Sequence, residues 1–248
     1  MYHNELEEIK NSIHTKLDTM VWGDMSIERK ADKSIVTEFD IFVSDQVKKV
    51  FHESNFDFNF FSEEDQESFE FPVIVLDPID GTREFAKGYG ECAVSLAILF
   101  SADINDDRNF GWIYNPFTGF EISSDVKYPL GSRHAHAEAV NIMISRSEWE
   151  KGANKLDFKH NFRITPLGSI AFKLGLLAAG AAECVVSFRD KNIWDIAAGV
   201  VICHSRGIRS DEIKDLSSKK LTGPFIFCRD ELKVAVHEEV NRLKKSKS

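Results

Sequence analysis

The apolar run Val73-Ile74-Val75-Leu76 drives straight into Asp77-Pro78-Ile79-Asp80-Gly81-Thr82. The run reads as a buried strand, and paired carboxylates at the end of such a strand are costly unless something compensates their charge. A divalent cation is the usual compensation, and hard cations such as Mg²⁺ prefer carboxylate and carbonyl oxygens. Pro78 holds Asp77 extended. The Ile79 side chain can point away while its carbonyl turns toward the carboxylates. Gly81 permits a conformation that other residues resist. Gly81 and Thr82 then present backbone N–H groups, which suit a phosphate oxygen. The plain alternative is a strand end and a capped turn, with Asp80 solvated.

Two further acidic stretches, Glu63-Glu64-Asp65 and Trp194-Asp195, complete the set. Glu63 could be a surface acid of an acid-rich loop, and Asp195 a first-turn helix acid stabilised by the helix dipole. The net charge of −9 argues against a nucleic-acid-binding surface. It also repels phosphate, a difficulty that bound metal would relieve locally. No apolar stretch reaches the roughly 18 residues of a membrane-spanning helix. The polar start, Met1-Tyr-His-Asn-Glu, lacks the plan of a signal peptide. Cys92, Cys184, Cys203 and Cys228 are widely spaced and read as buried free thiols. A cytoplasmic protein is the expectation.

Helical spacing of Leu6, Ile9, Ile13, Leu17 and Met20 predicts a helix over 4–22. A second is predicted over 41–53, with Asp40 just before it as a cap. Strands are predicted at 73–77, 92–100, 110–114 and 119–123, the last two joined by the turn at 115–119. Beyond a polar stretch at 125–137 the rhythm alternates: strands at 140–145, 161–165, 182–188 and 224–228, helices at 147–155, 169–179, 194–206 and 230–244. This is an α/β (α+β) chain with a mostly antiparallel first half. Its expected subdomains are 1–130, with the metal-binding motif, and 131–248, with Asp195 and substrate contacts.

Asp77-Pro-Ile-Asp-Gly-Thr82 resembles the signature of the inositol monophosphatase family of metal-dependent phosphatases. Lys30-Ala-Asp-Lys-Ser-Ile-Val-Thr-Glu-Phe-Asp40, Phe61-Ser-Glu-Glu64, Gly168-Ser-Ile-Ala171 and Trp194-Asp-Ile-Ala-Ala-Gly199 resemble its other elements, in the right order. Ser62 stands where the family has a glycine, which puts the Glu63 loop and an outer metal in question. The resemblance implies a layered αβαβα sandwich of the sugar-phosphatase type, with a mixed or antiparallel first sheet. It implies that Glu63, Asp77, the Ile79 carbonyl, Asp80 and Asp195 hold two or three Mg²⁺ ions. Glu63 and Thr82 would activate a metal-bound water, and Asp40 would support Thr82. Asp80, Gly81, Thr82, Gly168, Ser169, Phe188 and Asp195 would contact the substrate. Family members often dimerise, so a homodimer is among the implied assemblies.

The implied activity is Mg²⁺-dependent hydrolysis of a small phosphorylated metabolite. Asp80-Gly-Thr-Arg-Glu-Phe85 with Gly90-Glu91 resembles the branch that acts on 3′(2′),5′-bisphosphate nucleotides. Cys92-Ala-Val-Ser-Leu-Ala97 is closer to the inositol branch. Inositol phosphatases carry a glutamate seven residues before the position of Asp195, and this chain has Phe188 there. Phe188 could stack on an adenine, and Arg189 and Lys191 could meet a second phosphate. The lean is therefore to a bisphosphate nucleotidase, with an inositol-1-monophosphatase as the alternative. A catalytically silent phosphate-binding relative is the reading from another class. A zinc hydrolase built on His134 and His136 would need a third ligand, and none has suitable spacing.

Overall fold

The computed structural model describes residues 1–20, 27–29, 35–66, 68–126 and 139–245. The chain opens with α1 (His3–Thr19), then β1 (Ile27–Arg29) and β2 (Ile35–Thr37) as an antiparallel pair, and α2 (Glu38–Glu53). Next come β3 (Asn59–Ser62), β4 (Val73–Asp80), α3 (Thr82–Ala86), β5 (Ala93–Leu99), β6 (Phe110–Tyr114) and β7 (Glu121–Ser123). These strands form one sheet in the order β3-β4-β5-β6-β7, with β3 parallel to β4 and the other pairs antiparallel.

The second half runs β8 (Val140–Ser145), α4 (Arg146–Glu150), a 3₁₀ turn at Ala153–Lys155, β9 (Phe162–Leu167), α5 (Ile170–Ala178) and β10 (Cys184–Ser187). It continues with β11 (Lys191–Asn192), α6 (Ile193–Ser205), β12 (Lys220–Leu221), β13 (Phe225–Cys228) and α7 (Asp230–Lys245). A four-stranded sheet in the order β13-β10-β8-β9 results, parallel except at its β13 edge.

Two-residue side-chain periodicity sorts both sheets into layers. Ile74 and Leu76 of β4 pack with α1 and α2, whereas Val73 and Val75 pack with α5 and α6. In the second sheet, Val185, Phe225 and Phe227 turn toward α5 and α6, and Cys184, Val186, Ile226 and Cys228 turn toward α7. The layers run helix, sheet, helix, sheet, helix, as the resemblance implies. With both faces of β4 covered, every residue of Val73–Leu76 is apolar, the pattern of a strand with no wet side.

Several boundaries differ from the sequence reading. The second helix starts at Glu38, and its cap is Thr37, not Asp40: the Thr37 hydroxyl accepts from Phe39 N–H. Asp40 lies inside the first turn, where its carboxylate reaches back to Thr37 N–H and completes a capping box. The helix expected over 147–155 divides into α4 and the 3₁₀ turn at Gly152, whose φ is +123°. The short α3 and the β11–β12 pair carry too few residues for a periodic signal. The boundary expected at 130/131, and His134 and His136, lie outside the described residues.

The middle helical layer rests on close contact between α5 and α6. A Cβ added at Gly199 would sit 2.4 Å from Leu174 Cδ1 and 2.7 Å from its Cβ. Replacing Gly199 with Ala is expected to cost about 1–3 kcal/mol, the usual penalty of overpacking. A urea midpoint equal to that of the wild type would contradict this close approach.

Candidate metal centre

Asp77 and Asp80 are three residues apart, and a regular strand would put them on opposite faces. The β4–β5 register shifts between them: Asp77 pairs with Ser95 and Asp80 with Ala93, so β4 carries one extra residue. That bulge returns both aspartates to one side. It falls at Pro78, which has no N–H to lose from the ladder. The Ile79 side chain is fully buried against the α1–α2 layer, as anticipated, and its carbonyl accepts from Thr82 Oγ1 at 3.0 Å.

Asp195 arrives from the other half of the chain. It is the third residue of α6 and closes a capping box with Asn192, accepting from its N–H at 2.9 Å. The bland reading of Asp195 as a first-turn acid is thus correct and compatible with a role in the site. Ser95, the residue opposite Asp77, donates its hydroxyl to the Trp194 carbonyl at 3.1 Å and so ties the start of α6 to the sheet. Oxygens of Asp77, Asp80 and Asp195 consequently lie within 4.8 Å of one another.

Burial raises the Asp77 carboxyl well above the ordinary range, and Glu63, Asp80, Asp195 and Asp40 add to the rise by repulsion. Burial likewise pushes Asp195 up to about 7, aided by Asp80 and opposed by Lys191 and the Asn192 N–H. Asp77 Oδ1 is buried with no hydrogen-bond partner among the described residues. An orphaned carboxylate oxygen, facing two more carboxylates, is a donor set that fits a hard divalent cation. Asp80 is the best anchored of the three: its Oδ2 accepts from Ser169 Oγ at 2.7 Å and Ala171 N–H at 2.6 Å.

Glu63 lines the same cavity as Asp80 and Asp195, outside the tight three-carboxylate group. Ser62 is fully buried, and its Oγ accepts from Asp65 N–H at 2.9 Å, which closes the turn that carries Glu63. Thr82 Oγ1 lies 3.4 Å from Asp40 Oδ1, so Asp40 both supports the α2 cap and faces the site.

The cavity holds about 330 Å³. Its lining includes Glu63, Asp80, Gly81, Thr82, Gly168, Ser169 and Asp195 of the expected residues, and also Arg189 and Lys191. Gly81 has φ +91°, and a Cβ there would sit 2.8 Å from the Glu91 carbonyl, so both conformation and space demand glycine. Phe188 is not among the lining residues. It continues the alternation of Cys184 and Val186 and packs with them in the layer beneath α7, which places its ring on the far side of the sheet. Stacking of an adenine on Phe188 therefore has no support in the fold.

Arg83, Arg146, Ser147 and Lys151 also line the cavity, and the sequence reading passed over them. The signal was available: Ser145-Arg-Ser147 follows the carboxyl end of a parallel strand, where α/β sheets bind ligands. Arg146 forms an ion pair with Glu91, which also accepts from Gly168 N–H at 2.8 Å.

Comparison with known proteins agrees with this geometry. Residues 5–222 match the model of the inositol monophosphatase family. The chain belongs to that family. A Buchnera aphidicola protein named 3′(2′),5′-bisphosphate nucleotidase CysQ is 30% identical over 199 residues, 74% of this chain and 73% of its own. A Thermotoga maritima fructose-1,6-bisphosphatase/inositol-1-monophosphatase is 26% identical over 246 residues, 88% of this chain and 86% of its own. The solved structure of a Thermotoga maritima IMPase superposes with a TM-score of 0.75 at 23% identity, covering 97% of this chain and 96% of that one. The chain is thus a phosphomonoesterase of a metal-dependent family.

Raised carboxyl pKa values make a sign prediction for the metal-free protein. Asp77 and Asp195 stay protonated in the fold at pH values where the unfolded chain, titrating near 4, has already ionised. The folded state then binds more protons, so stability falls as pH rises between about 4 and about 7. In EDTA the melting temperature is expected to drop across this window. Added Mg²⁺ is expected to restore it most at the alkaline end. A flat profile in EDTA would refute the crowding of these carboxylates.

Proposed function

We propose that this protein hydrolyses a small phosphate monoester that carries a second anionic group, with Mg²⁺ as cofactor, and that a 3′(2′),5′-bisphosphate nucleotide is the favoured substrate class. Glu63, Asp77, the Ile79 carbonyl, Asp80 and Asp195 would hold two or three ions. When bound, the cations neutralise phosphate charge and lower the pKa of water.

The remaining chemistry belongs to the chain's own groups. Gly81 and Thr82 stand at the start of α3, where the first N–H groups have no intrahelical acceptor and can bind phosphate oxygens. The Thr82 hydroxyl proton has two acceptors, Ile79 O and Asp40 Oδ1. Its turning to Asp40 leaves the oxygen free to accept from an attacking water, and the Glu63 carboxylate is the base for that water's proton. Gly168 and Ser169 border the cavity beside Gly81 and would contact the ester.

The observation that carries the substrate class is the ring of cations around an acidic floor. Arg83, Arg146, Lys151, Arg189 and Lys191 line one cavity in a protein of net charge −9. A phosphate at the floor occupies the metal and the amides, and these side chains have a second anion left to meet. Among the described residues the lining groups that can meet the rest of the substrate are mainly cationic, so the second phosphate is the feature they would discriminate. The second reading is an inositol-1-monophosphatase, favoured by the similarity to the Thermotoga maritima fructose-1,6-bisphosphatase/inositol-1-monophosphatase. A cytoplasmic location and a homodimer belong to this reading as well.

Phosphate release from adenosine 3′,5′-bisphosphate, inositol 1-phosphate and fructose 1,6-bisphosphate, with Mg²⁺ and with EDTA, tests it. Release is expected only with Mg²⁺ and fastest from a bisphosphate; a preference for inositol 1-phosphate overturns the substrate class. Asp195→Asn is expected to abolish turnover with the fold intact, and undiminished activity would remove Asp195 from the mechanism. Arg189→Gln is expected to lower kcat/KM for the preferred bisphosphate by about tenfold, as the loss of one charge-assisted contact does, and to leave inositol 1-phosphate nearly unaffected. Equal losses on both esters would deny Arg189 a role in reading the second anion.

A further inference from the structure

Lys173 is the one residue of α5 whose chemistry contradicts its surroundings. The helix is otherwise apolar, and Lys173 is completely buried within it. Burying an ammonium is expensive, and a cation in the first turns of a helix also opposes the helix dipole. Among the described residues it forms no ion pair. Instead Nζ donates to three carbonyls, those of Leu167 at 3.1 Å, Gly168 at 3.0 Å and Ser169 at 2.8 Å. In its protonated form the side chain has three N–H donors and all are used, against burial that pushes its pKa down to about 7.

The three acceptors are consecutive. Drawing three successive carbonyls to one point turns the other groups of the β9–α5 connection outward, toward the cavity. Gly168 N–H meets Glu91, and Ser169 Oγ donates to Asp80 Oδ2 while accepting from Phe172 N–H at 2.9 Å. Ser169 pays for this shape with a φ of +46°, in the region that favours glycine. Two donors on Asp80 Oδ2, from Ser169 Oγ and Ala171 N–H, fix the rotation of that carboxylate.

We propose that Lys173 is a positioning residue: its buried ammonium clamps the Leu167–Ser169 carbonyls, and through Ser169 the clamp aims the Asp80 carboxylate at the cation site. The inference rests on the reading of Asp80 as a cation ligand. A methionine of similar length would fill the same space but leave three buried carbonyls without their donor, so some stability is lost whether or not the lysine acts on the site. A lysine that only supports the fold would leave cation affinity unchanged, and a clamp would not.

The test is Lys173→Met, with Lys173→Gln, which keeps a neutral donor, as the milder variant. Mg²⁺ and Mn²⁺ affinity by calorimetry, kcat and KM, and the melting temperature in EDTA are measured for each. Lys173→Met is expected to weaken cation affinity and lower kcat by about tenfold each, the scale of one lost buried hydrogen-bond network, with KM little changed and the EDTA melting point lowered by the stranded carbonyls. Lys173→Gln should recover part of both losses. Ser169→Ala should reproduce the defect, and Lys173→Met/Ser169→Ala should be no worse than the poorer single variant, because both act on one path. If Lys173→Met does not fold, the same cycle is run with Lys173→Gln. Wild-type cation affinity in the Lys173 variant, or additive losses in the double variant, overturns the clamp. Asp80→Asn separates the two levels: if it loses the cation while the Lys173 variant keeps it, only the clamp fails, and if it too binds as wild type, the ligand reading fails with it.

Discussion

Negative charge concentrated at the end of a fully enclosed strand is the constraint on which the rest of this structure depends. Asp77, Asp80 and Asp195 bring carboxylate oxygens within 4.8 Å of one another, and Asp77 keeps one of its oxygens without a partner among the described residues. Three like charges at that spacing cannot all be ionised without a cation among them. The polypeptide tolerates the arrangement because each carboxylate is anchored from a different direction. A bulge in β4 aligns Asp77 with Asp80, the α6 capping box holds Asp195, and the start of α5 holds Asp80. No single element could impose the geometry, since a helix or strand that carried all three would present them at its own repeat.

The layered fold follows from covering β4 on both faces. Its odd and even residues feed two separate apolar layers, and α5 and α6 serve the second sheet as well. The sheet thus has no wet face near the site, and the carboxylates sit where water is already scarce. That scarcity raises their pKa values in the metal-free chain and strengthens their attraction for a cation in the same measure. Crowding that destabilises the empty site is the source of the cation's affinity.

Local chemistry was legible in the sequence wherever one short segment determines it. Gly81 and Ile79 behave as the hexapeptide implies, because a tight turn leaves few options for either residue. Strand alternation and helical spacing located the main elements within a few residues. What was not legible depends on which elements become neighbours. Arg146 and Lys151 reach the cavity only because β8 places α4 beside the β9–α5 turn, and the strand end before Arg146 is the one local hint of a ligand. Phe188 shows the converse. Its distance from Asp195 in sequence suggested a substrate contact, but side-chain alternation along β10 sends the ring to the other face. Asp40 is a third kind: a single carboxylate serves the helix cap and faces Thr82, so the bland and the functional readings were never in competition.

The same cavity joins an acidic floor to a cationic border, and this resolves the tension between a chain of net charge −9 and an anionic substrate. Most of the negative charge is spread over a surface where salt screens it beyond roughly 8–10 Å. Inside the cavity the ordering is steeper. Cations at the floor would reverse the local sign, and Arg83, Arg146, Lys151, Arg189 and Lys191 already carry the opposite sign at the border. Glu91 offsets part of this by pairing with Arg146, which leaves the guanidinium fixed in direction as well as in charge. A monoester whose remainder is neutral would bury its hydroxyls against this border without neutralising it. On the proposed reading, an ester with a second phosphate would satisfy floor and border together, so the arrangement of charge, more than the shape of the cavity, would distinguish between the two kinds of substrate.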